Sequence, residues 1–386
     1  MSKTNQIVKD IMSASPMRVF LSVVLGFIIG SIFMAVFNED VVASYEYVFS
    51  NPGYTFQIAF QTIFDGYAAL FKGAIFNFEA TDPIDMFRPI TETLRLSAPL
   101  IMAGLGVALG FRVGLFNVGG TGQLVMGLLG ATWVSTRMEL PYGLHMVLAL
   151  VVAVVLSGLT GGLVGFLKAK TGAHEVIVTI MMNYIAVDLF TYFLRTPSLL
   201  LETDGPGNPK SDPPALTAQL PRLLGEEFKI NIGILLAIAA AVVYWWLMER
   251  STIGYRFRMV GFNANAAKAS GINVNRTYMW AMAASAAFIG LAAANQGLGE
   301  TSGLTSSIHA NIGFDAITVA LLGGSKARGV VIAGLVFGAF KAGSATMQIT
   351  GVSPEVLGII EALIVLFIAA PPLIRAIFRL PERKEQ

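Results

Sequence analysis

Hydrophobic residues lie in runs long enough to cross a bilayer, separated by short polar stretches. A helix needs about 20 mostly apolar residues to span the hydrocarbon core. Such runs occupy residues 19–37, 90–110, 118–137, 144–167, 176–194, 232–248, 278–298 and 355–377, and two shorter ones, 315–323 and 329–346, flank the sequence GGSKARG. The pattern predicts an all-α, polytopic integral membrane protein, a single domain over residues 1–386 with about ten transmembrane helices or half-helices.

The charges between these runs predict an orientation. Lysine and arginine are enriched in cytoplasmic loops, and here they cluster in the segments 1–18, 168–170, 249–277 and 378–386. The connections 38–88 and 195–231 are acidic or mixed and are expected outside. If the two short segments form a hairpin, the alternation closes with the N-terminus and the C-terminal tail both in the cytoplasm.

The segment 54–78 is ambiguous, because it is apolar but contains Gln57, Gln61, Asp65 and Lys72. A full span here would invert every later loop. We therefore expect an amphipathic helix at the outer interface, within the external segment 38–88. The loop 195–231 is rich in proline and is expected to be an irregular external excursion.

Composition excludes several classes of protein. Hydrophobic residues make up 55% of the chain and charged residues only 13%, about half the charged share of a soluble domain. The net charge is +2, and the basic residues flank apolar runs, so a nucleic-acid partner is not expected. The chain has no cysteine and no Gly-Lys dipeptide, which excludes disulfides and a phosphate-binding P-loop. We predict a transport subunit rather than an enzyme, with no catalytic residues, no metal site and no cofactor of its own.

Polar residues interrupt the apolar pattern at FRVGLFNVGGTGQLVMG, residues 111–127. Asn117 and Gln123 offer uncharged hydrogen-bonding groups that could line the path of a polar, neutral solute. Alternatively, the glycines only let helices pack and the amides bond across helices. Asn183 leaves the same two interpretations open, whereas Arg112 is expected to be a cytoplasmic interfacial anchor. Glycine-interrupted segments near 104–130 and 313–338 hint at an internal repeat of the kind that marks transport sites, although their similarity is slight.

Three ionisable residues lie inside the predicted spans: Asp188, Lys341 and Glu361. Their similar depth predicts a structural ion pair between Lys341 and at least one of the two acids. The competing hypothesis makes them the coupling groups of a carrier driven by an ion gradient.

The segment ERSTIGYRFRMVGFNANAAKASGINVNRTYM, residues 249–279, predicts a short helix over 264–270. Asn263 can cap its start and Gly271 can end it. The small residues Ala264 and Ala267, with Lys268 at the rim, suit docking into a groove on a soluble partner. The alternative is an amphipathic surface loop.

Four motifs carry a family resemblance: FRVGLFNVGGTGQLVMG, HEVIVTIMMNYIA, GYRFRMVGFNANAAKASGI and DAITVALLGGSKARGVVIAG. They resemble the permease subunits of bacterial ABC importers in the branched-chain amino acid, ribose and galactose permease group, most closely the nucleoside (guanosine-type) branch. The match runs in order from about residue 88 to 375. This chain has Gly120-Thr121 where that branch often has alanine or valine followed by glutamate.

The resemblance implies a multi-pass subunit in the bacterial cell membrane that takes up nucleosides by alternating access. ATP and Mg²⁺ would be used by a separate ATP-binding subunit docking at 261–273. A second, non-identical permease chain and an extracytoplasmic solute-binding lipoprotein would complete the importer. The alternatives are a sugar or vitamin importer of the same family, an ion-coupled secondary transporter and a non-transporting scaffold.

Overall fold

Helices form the regular secondary structure of the computed structural model, which describes residues 15–202, 209–299, 302–305, 307–308 and 311–379. No β-strand longer than an isolated bridge occurs in these ranges. The helices are α1 Ser15–Phe37, α2 Glu39–Ser44, α3 Pro52–Ala74, α4 Pro83–Arg112, α5 Gly120–Arg137, α6 Leu144–Thr171, α7 Glu175–Arg195, α8 Gly233–Arg250, α9 Thr252–Phe262, α10 Ala264–Ala269, α11 Val274–Gly299, α12 Ile312–Leu322, α13 Ala327–Ile349, α14 Pro354–Ala369 and α15 Pro371–Phe378. The predicted all-α class is confirmed.

Seven of the described helices are long and apolar enough to cross a bilayer, namely α1, α4, α6, α7, α8, α11 and α13. The apolar run 355–377 is divided between two helices, because α14 and α15 meet at an angle of 95°. The sequence Pro371-Pro372 begins α15, and proline lacks the backbone N–H that would continue the hydrogen bonds of α14. The predicted terminal segments 1–18 and 378–386 lie largely outside the described residues.

One compact unit is formed by residues up to Thr93 together with those from Ala339 onward. In it, α1 packs against α14, where a Cβ on Gly26 would lie 2.5 Å from Ile364. Helix α3 covers most of the ambiguous segment 54–78 and is not among the candidate spans. The Tyr67 hydroxyl on α3 donates a hydrogen bond of 2.6 Å to the carbonyl oxygen of Phe27. These contacts fix α3 along the side of α1.

The second unit, Leu94–Gly338, has its core where α5, α6 and α11 meet. Glycines allow this close packing. A Cβ on Gly165 of α6 would lie 2.7 Å from the Cα of Met279, and one on Gly290 of α11 would lie 2.7 Å from the Cα of Val154. Small residues of this kind let helix backbones approach closely in membrane proteins. The three helices therefore provide the rigid frame on which the features below are mounted.

The loop 195–231 packs against the ends of α5 and α6 as an irregular segment, as predicted for its proline-rich sequence, and residues 203–208 lie outside the described ranges. Arg137 holds it by donating to the carbonyl oxygens of Leu199 and Leu201 at 2.8 and 3.0 Å. The buried ring of His145 lies between Thr217 Oγ1 and the Val134 carbonyl oxygen, 2.8 and 2.9 Å away. The loop is thus a fixed part of this unit.

Candidate functional site

The polypeptide leaves helical geometry between α4 and α5, over residues 113–119. Gly114 there has φ +75°, a left-handed conformation that glycine adopts without steric cost. Non-helical backbone at membrane depth needs hydrogen-bond partners from the protein itself. We call residues 113–119 the α4–α5 break, and its partners are amide side chains.

Asn117 and Gln123 bind each other beside this break. The Asn117 Nδ2 donates to Gln123 Oε1 and to Ser285 Oγ, both at 3.0 Å, and Gln123 Nε2 donates back to Asn117 Oδ1 at 3.1 Å. The backbone N–H of Gly119 also donates to Asn117 Oδ1, at 3.0 Å. Asn117 and Gln123 are 0% and 1% exposed. These contacts give both amides the packing role that the sequence left open, while their lining of a solute path stays a prediction.

Asn183 on α7 forms hydrogen bonds with the same break and with the start of α5. Its Nδ2 donates to the Val118 carbonyl oxygen at 3.0 Å, and its Oδ1 accepts from the Gly122 backbone N–H at 2.8 Å. The N-cap position of α5, Gly119, has no side-chain oxygen of its own. Asn183 therefore supplies from a neighbouring helix the cap that α5 lacks. The sequence identified all three amides but not that they meet at one point.

The start of α5 also meets the start of α12. A Cβ on Gly120 would lie 2.8 Å from the carbonyl oxygen of Gly313, and one on Gly313 would overlap the backbone nitrogen of Thr121. The backbones touch because neither residue has a side chain. The two glycine-interrupted segments singled out in the sequence, near 104–130 and 313–338, thus contact each other directly at these glycines.

The predicted short helix of the 249–277 loop is present as α10. Asn263 Oδ1 accepts from the backbone N–H groups of Asn265 and Ala266, both at 3.0 Å, and Gly271 has φ +82°. Ala264 is half-buried and Lys268 is exposed. Ala267, by contrast, is 0% exposed, so its side chain packs inside the chain and is not available to a partner.

An exposed aromatic residue that the sequence did not single out lies next to α10. Phe262, the last residue of α9, is 84% exposed. The sequence carried no distinct signal for its exposure, because an apolar residue directly before a capping residue commonly packs against the helix that follows. Large aromatic side chains of this kind often anchor protein–protein contacts.

Helix α9 touches the α4–α5 break through its backbone. A Cβ on Gly261 would overlap the carbonyl oxygen of Arg112, and one on Gly114 would lie 3.5 Å from the Cα of Gly261. Arg112 was predicted to be an interfacial anchor, but it also has a specific partner, because its Nη1 lies 2.6 Å from Glu249 Oε1. Arg258 Nη1 lies 3.9 Å from the other oxygen of Glu249. Glu249 on α8 therefore links Arg112 at the end of α4 to Arg258 on α9.

The contacts described above do not test the predicted ion pair of Lys341 with Asp188 or Glu361. Asp188 is exposed on α7 in the unit Leu94–Gly338, whereas Lys341 and Glu361 belong to the other unit. The pairing stays a prediction. Within the described part of the chain, no group of three or more histidine, aspartate or glutamate residues is arranged to hold a metal ion.

Apolar spans around a hydrogen-bonded break define a multi-span membrane protein. Residues 90–369 match the family described as the branched-chain amino acid transport system permease component. The chain belongs to this family, which confirms the resemblance inferred from its motifs. Helices α1 and α3 precede the matched region.

Three relatives illustrate the match. The guanosine ABC transporter permease NupP of Bacillus subtilis is 40% identical over 74% of this chain and 82% of its own length. The nucleoside ABC transporter permease NupB of Lactococcus lactis is 28% identical over 94% and 93%. The glucose ABC transporter permease TsgB13 of Haloferax volcanii is 32% identical over 72% and 75%. No solved structure matches the chain.

Proposed function

We propose that this chain is the membrane-spanning subunit of an ATP-driven importer of nucleosides. The observation that carries the proposal is the similarity to NupP and NupB, both named for nucleoside transport, over 74% and 94% of the chain. The relative named for glucose keeps a sugar as the second candidate. The solute would cross by alternating access without covalent change.

The partners follow from the same proposal. A separate ATPase would use ATP and Mg²⁺, and an extracytoplasmic binding lipoprotein would deliver the solute. Similarity to both members of two named pairs, NupP with NupQ and NupB with NupC, supports a second, non-identical permease chain. Asn117, Gln123 and Asn183 are proposed to shape the pathway by holding the α4–α5 break rather than by binding solute.

Coupling is proposed to run through α9 and α10. Phe262 and Lys268 present an exposed aromatic ring and a positive charge to the ATPase. Ala267 supports the segment from inside. Movement of α9 would pass to the α4–α5 break through the backbone contact at Gly261 and the Arg112–Glu249 ion pair.

We also propose that α3 lies at the outer interface without crossing the membrane. Near its start Thr55 donates to the carbonyl oxygen of Ser44, just after α1, and at its end Ala74 accepts from Thr93 in the first half of α4. Both ends thus contact residues near the proposed outer ends of α1 and α4, while Tyr67 between them reaches Phe27 midway along α1. The exposed rings of Phe56, Phe60 and Phe64 recur at four-residue spacing, which gives the helix an apolar face for lipid.

Uptake by reconstituted vesicles tests the proposed function. The chain, its second permease, the ATPase and the binding lipoprotein are reconstituted, and entry of radiolabelled guanosine is measured with and without ATP. We expect uptake that requires ATP and the lipoprotein, survives an uncoupler and is not reduced by excess glucose. Guanosine uptake that collapses with the uncoupler would make the chain a secondary carrier. Guanosine uptake that is reduced by excess glucose would favour a sugar as the solute.

The orientation can be measured directly because the chain contains no cysteine. Asn265→Cys and Leu216→Cys place single thiols at exposed positions on α10 and in the loop 195–231. In intact cells, a membrane-impermeant maleimide is expected to label only the cysteine at 216. Labelling at 265 before the membrane is opened would reverse the proposed topology.

The role of Phe262 is open to a binding measurement. An aromatic anchor contributes about 2 kcal/mol or more to an interface, so Phe262→Ala is expected to weaken ATPase association about 30-fold. The matched control is Tyr142→Ala, because Tyr142 is also exposed, at 63%, but lies in the α5–α6 connection. Equal ATPase affinity for the two variants would remove Phe262 from the contact.

A further inference from the structure

A cavity of about 790 Å³ is lined by residues of α8 and α9, of the connection that follows α10, and of the first half of α11. Its lining includes the polar residues Ser270 and Asn273 and the apolar residues Leu247 and Trp280. Arg256 and Arg276 are the charged residues of the lining. The cavity thus combines polar groups, two positive charges and apolar surface.

No acidic side chain among the described residues pairs with the positive charges of this cavity. Arg256 and Arg276 are exposed, and neither forms an ion pair within the described residues. In contrast, Arg112 and Arg258 nearby are both within 4.0 Å of Glu249. The two guanidinium groups are therefore available to an anion from outside the chain.

The apolar surface indicates the level of the cavity in the membrane. Trp280 is 62% exposed, and Trp245 and Trp246 near the end of α8 are also exposed. Tryptophan is enriched where the hydrocarbon core meets the headgroups. Ile253, 51% exposed, adds a further apolar surface to the lining. The exposed tryptophans therefore favour a position of the cavity at headgroup level.

We propose that this cavity binds an anionic phospholipid. The headgroup phosphate would lie against Arg256 and Arg276, and an acyl chain would follow Trp280 and Ile253. Basic pockets between helices at the membrane surface recognise such headgroups. A free phosphate or an acidic side chain of a soluble partner would use the arginines but leave the apolar surface uncovered. Only a molecule with both parts matches the whole lining.

A lipid bound in this cavity would affect the orientation of α10. Residues 270–273 line the cavity and form the connection between α10 and α11. A bound lipid would contact this connection and stabilise the orientation of α10. Loss of the lipid would loosen α10 without changing the rest of the fold.

Lipid titration of the purified full-length chain tests the proposal. Detergent-solubilised protein is titrated with phosphatidylglycerol or phosphatidylcholine, and bound lipid is counted by native mass spectrometry. We expect tighter binding of phosphatidylglycerol. Arg256→Gln or Arg276→Gln is expected to weaken it about fivefold, and both together about 30-fold, since each arginine near the headgroup contributes on this scale. Arg250→Gln is the matched control, because Arg250 is exposed on α8 and stacks on Trp245 outside the cavity.

The controls separate lipid binding from the other sources of an anion. Inorganic phosphate at the same concentration is expected to leave bound phosphatidylglycerol unchanged, and Arg256→Lys with Arg276→Lys is expected to retain most of the binding. If phosphate displaces the lipid, or if the control Arg250→Gln weakens binding as much as the test variants, the site is not a lipid site. If the double glutamine variant binds phosphatidylglycerol normally but no longer retains the ATPase, the arginines belong to the protein interface and the proposal fails.

Discussion

Asn117→Leu is expected to remove most of the stability of the α4–α5 break and to abolish uptake. Leucine cannot replace the bonds to Gly119 N–H, Gln123 and Ser285, all of which are buried. A buried polar group left without a partner costs about 1–3 kcal/mol. Several such groups together should lower the free energy of unfolding by about 3–5 kcal/mol. Thermal unfolding of the purified chain, followed by tryptophan fluorescence, measures the loss.

Asn275→Leu is the control for this experiment, because Asn275 is exposed in the first turn of α11. Surface substitutions away from such networks usually change stability by less than about 0.5 kcal/mol. If Asn117→Leu unfolds at the same temperature as the control and transports normally, the amides do not hold the break. If it is stable but inactive, the original interpretation of Asn117 as a pathway residue becomes the better one.

Gly261→Ala is expected to uncouple the ATPase from transport. The new methyl group would overlap the carbonyl oxygen of Arg112 and push α9 away from the break. Over-packing of this kind costs about 1–3 kcal/mol, which shifts the equilibrium for forming the contact between α9 and the break about 5- to 160-fold, and uptake is expected to fall with it. Gly261 is not one of the exposed docking residues, Phe262 and Lys268, so the ATPase should still co-purify and hydrolyse ATP. The measurement is uptake per ATP hydrolysed in reconstituted vesicles.

Gly158→Ala provides a matched alanine in the same unit. Its methyl group would lie 3.5 Å from the carbonyl oxygen of Ala283, an ordinary contact. We expect this variant to transport like the wild type. A Gly261→Ala variant with an unchanged ratio of uptake to hydrolysis would show that force reaches the pathway by another route, such as the connection between α6 and α7.

The sequence predicted the helices well because their signal is local. Each span is a continuous apolar run, and the helix after Asn263 begins at a residue that caps it with its own side chain. The bend between α14 and α15 was missed, although Pro371-Pro372 marks it, because the apolar pattern continues through the bend. A hydropathy pattern shows how far an apolar run extends but not whether the helix bends within it.

The candidate site was predicted in its residues but not in its arrangement. Asn117, Gln123 and Asn183 stand out as amides in apolar runs, yet their partners include Ser285, which is 168 residues away along the chain. Burial of Ala267 and exposure of Phe262 also depend on how α10 packs against the rest of the chain. Contacts of this kind are set by tertiary packing, and a single sequence carries no direct record of them.

The α4–α5 break is held by uncharged groups, and this has a consequence for the energetics of the membrane. A membrane potential of 100 mV acts on a full charge with about 2.3 kcal/mol, but it exerts no net force on a neutral amide. The side chains that hold the break, Asn117, Gln123, Asn183 and Ser285, carry no formal charge. A rearrangement of this segment therefore moves no formal charge of its own through the field. We expect the conformational equilibrium of the break to be insensitive to voltage. Depolarisation of the cell would then leave the conformation of the break unchanged.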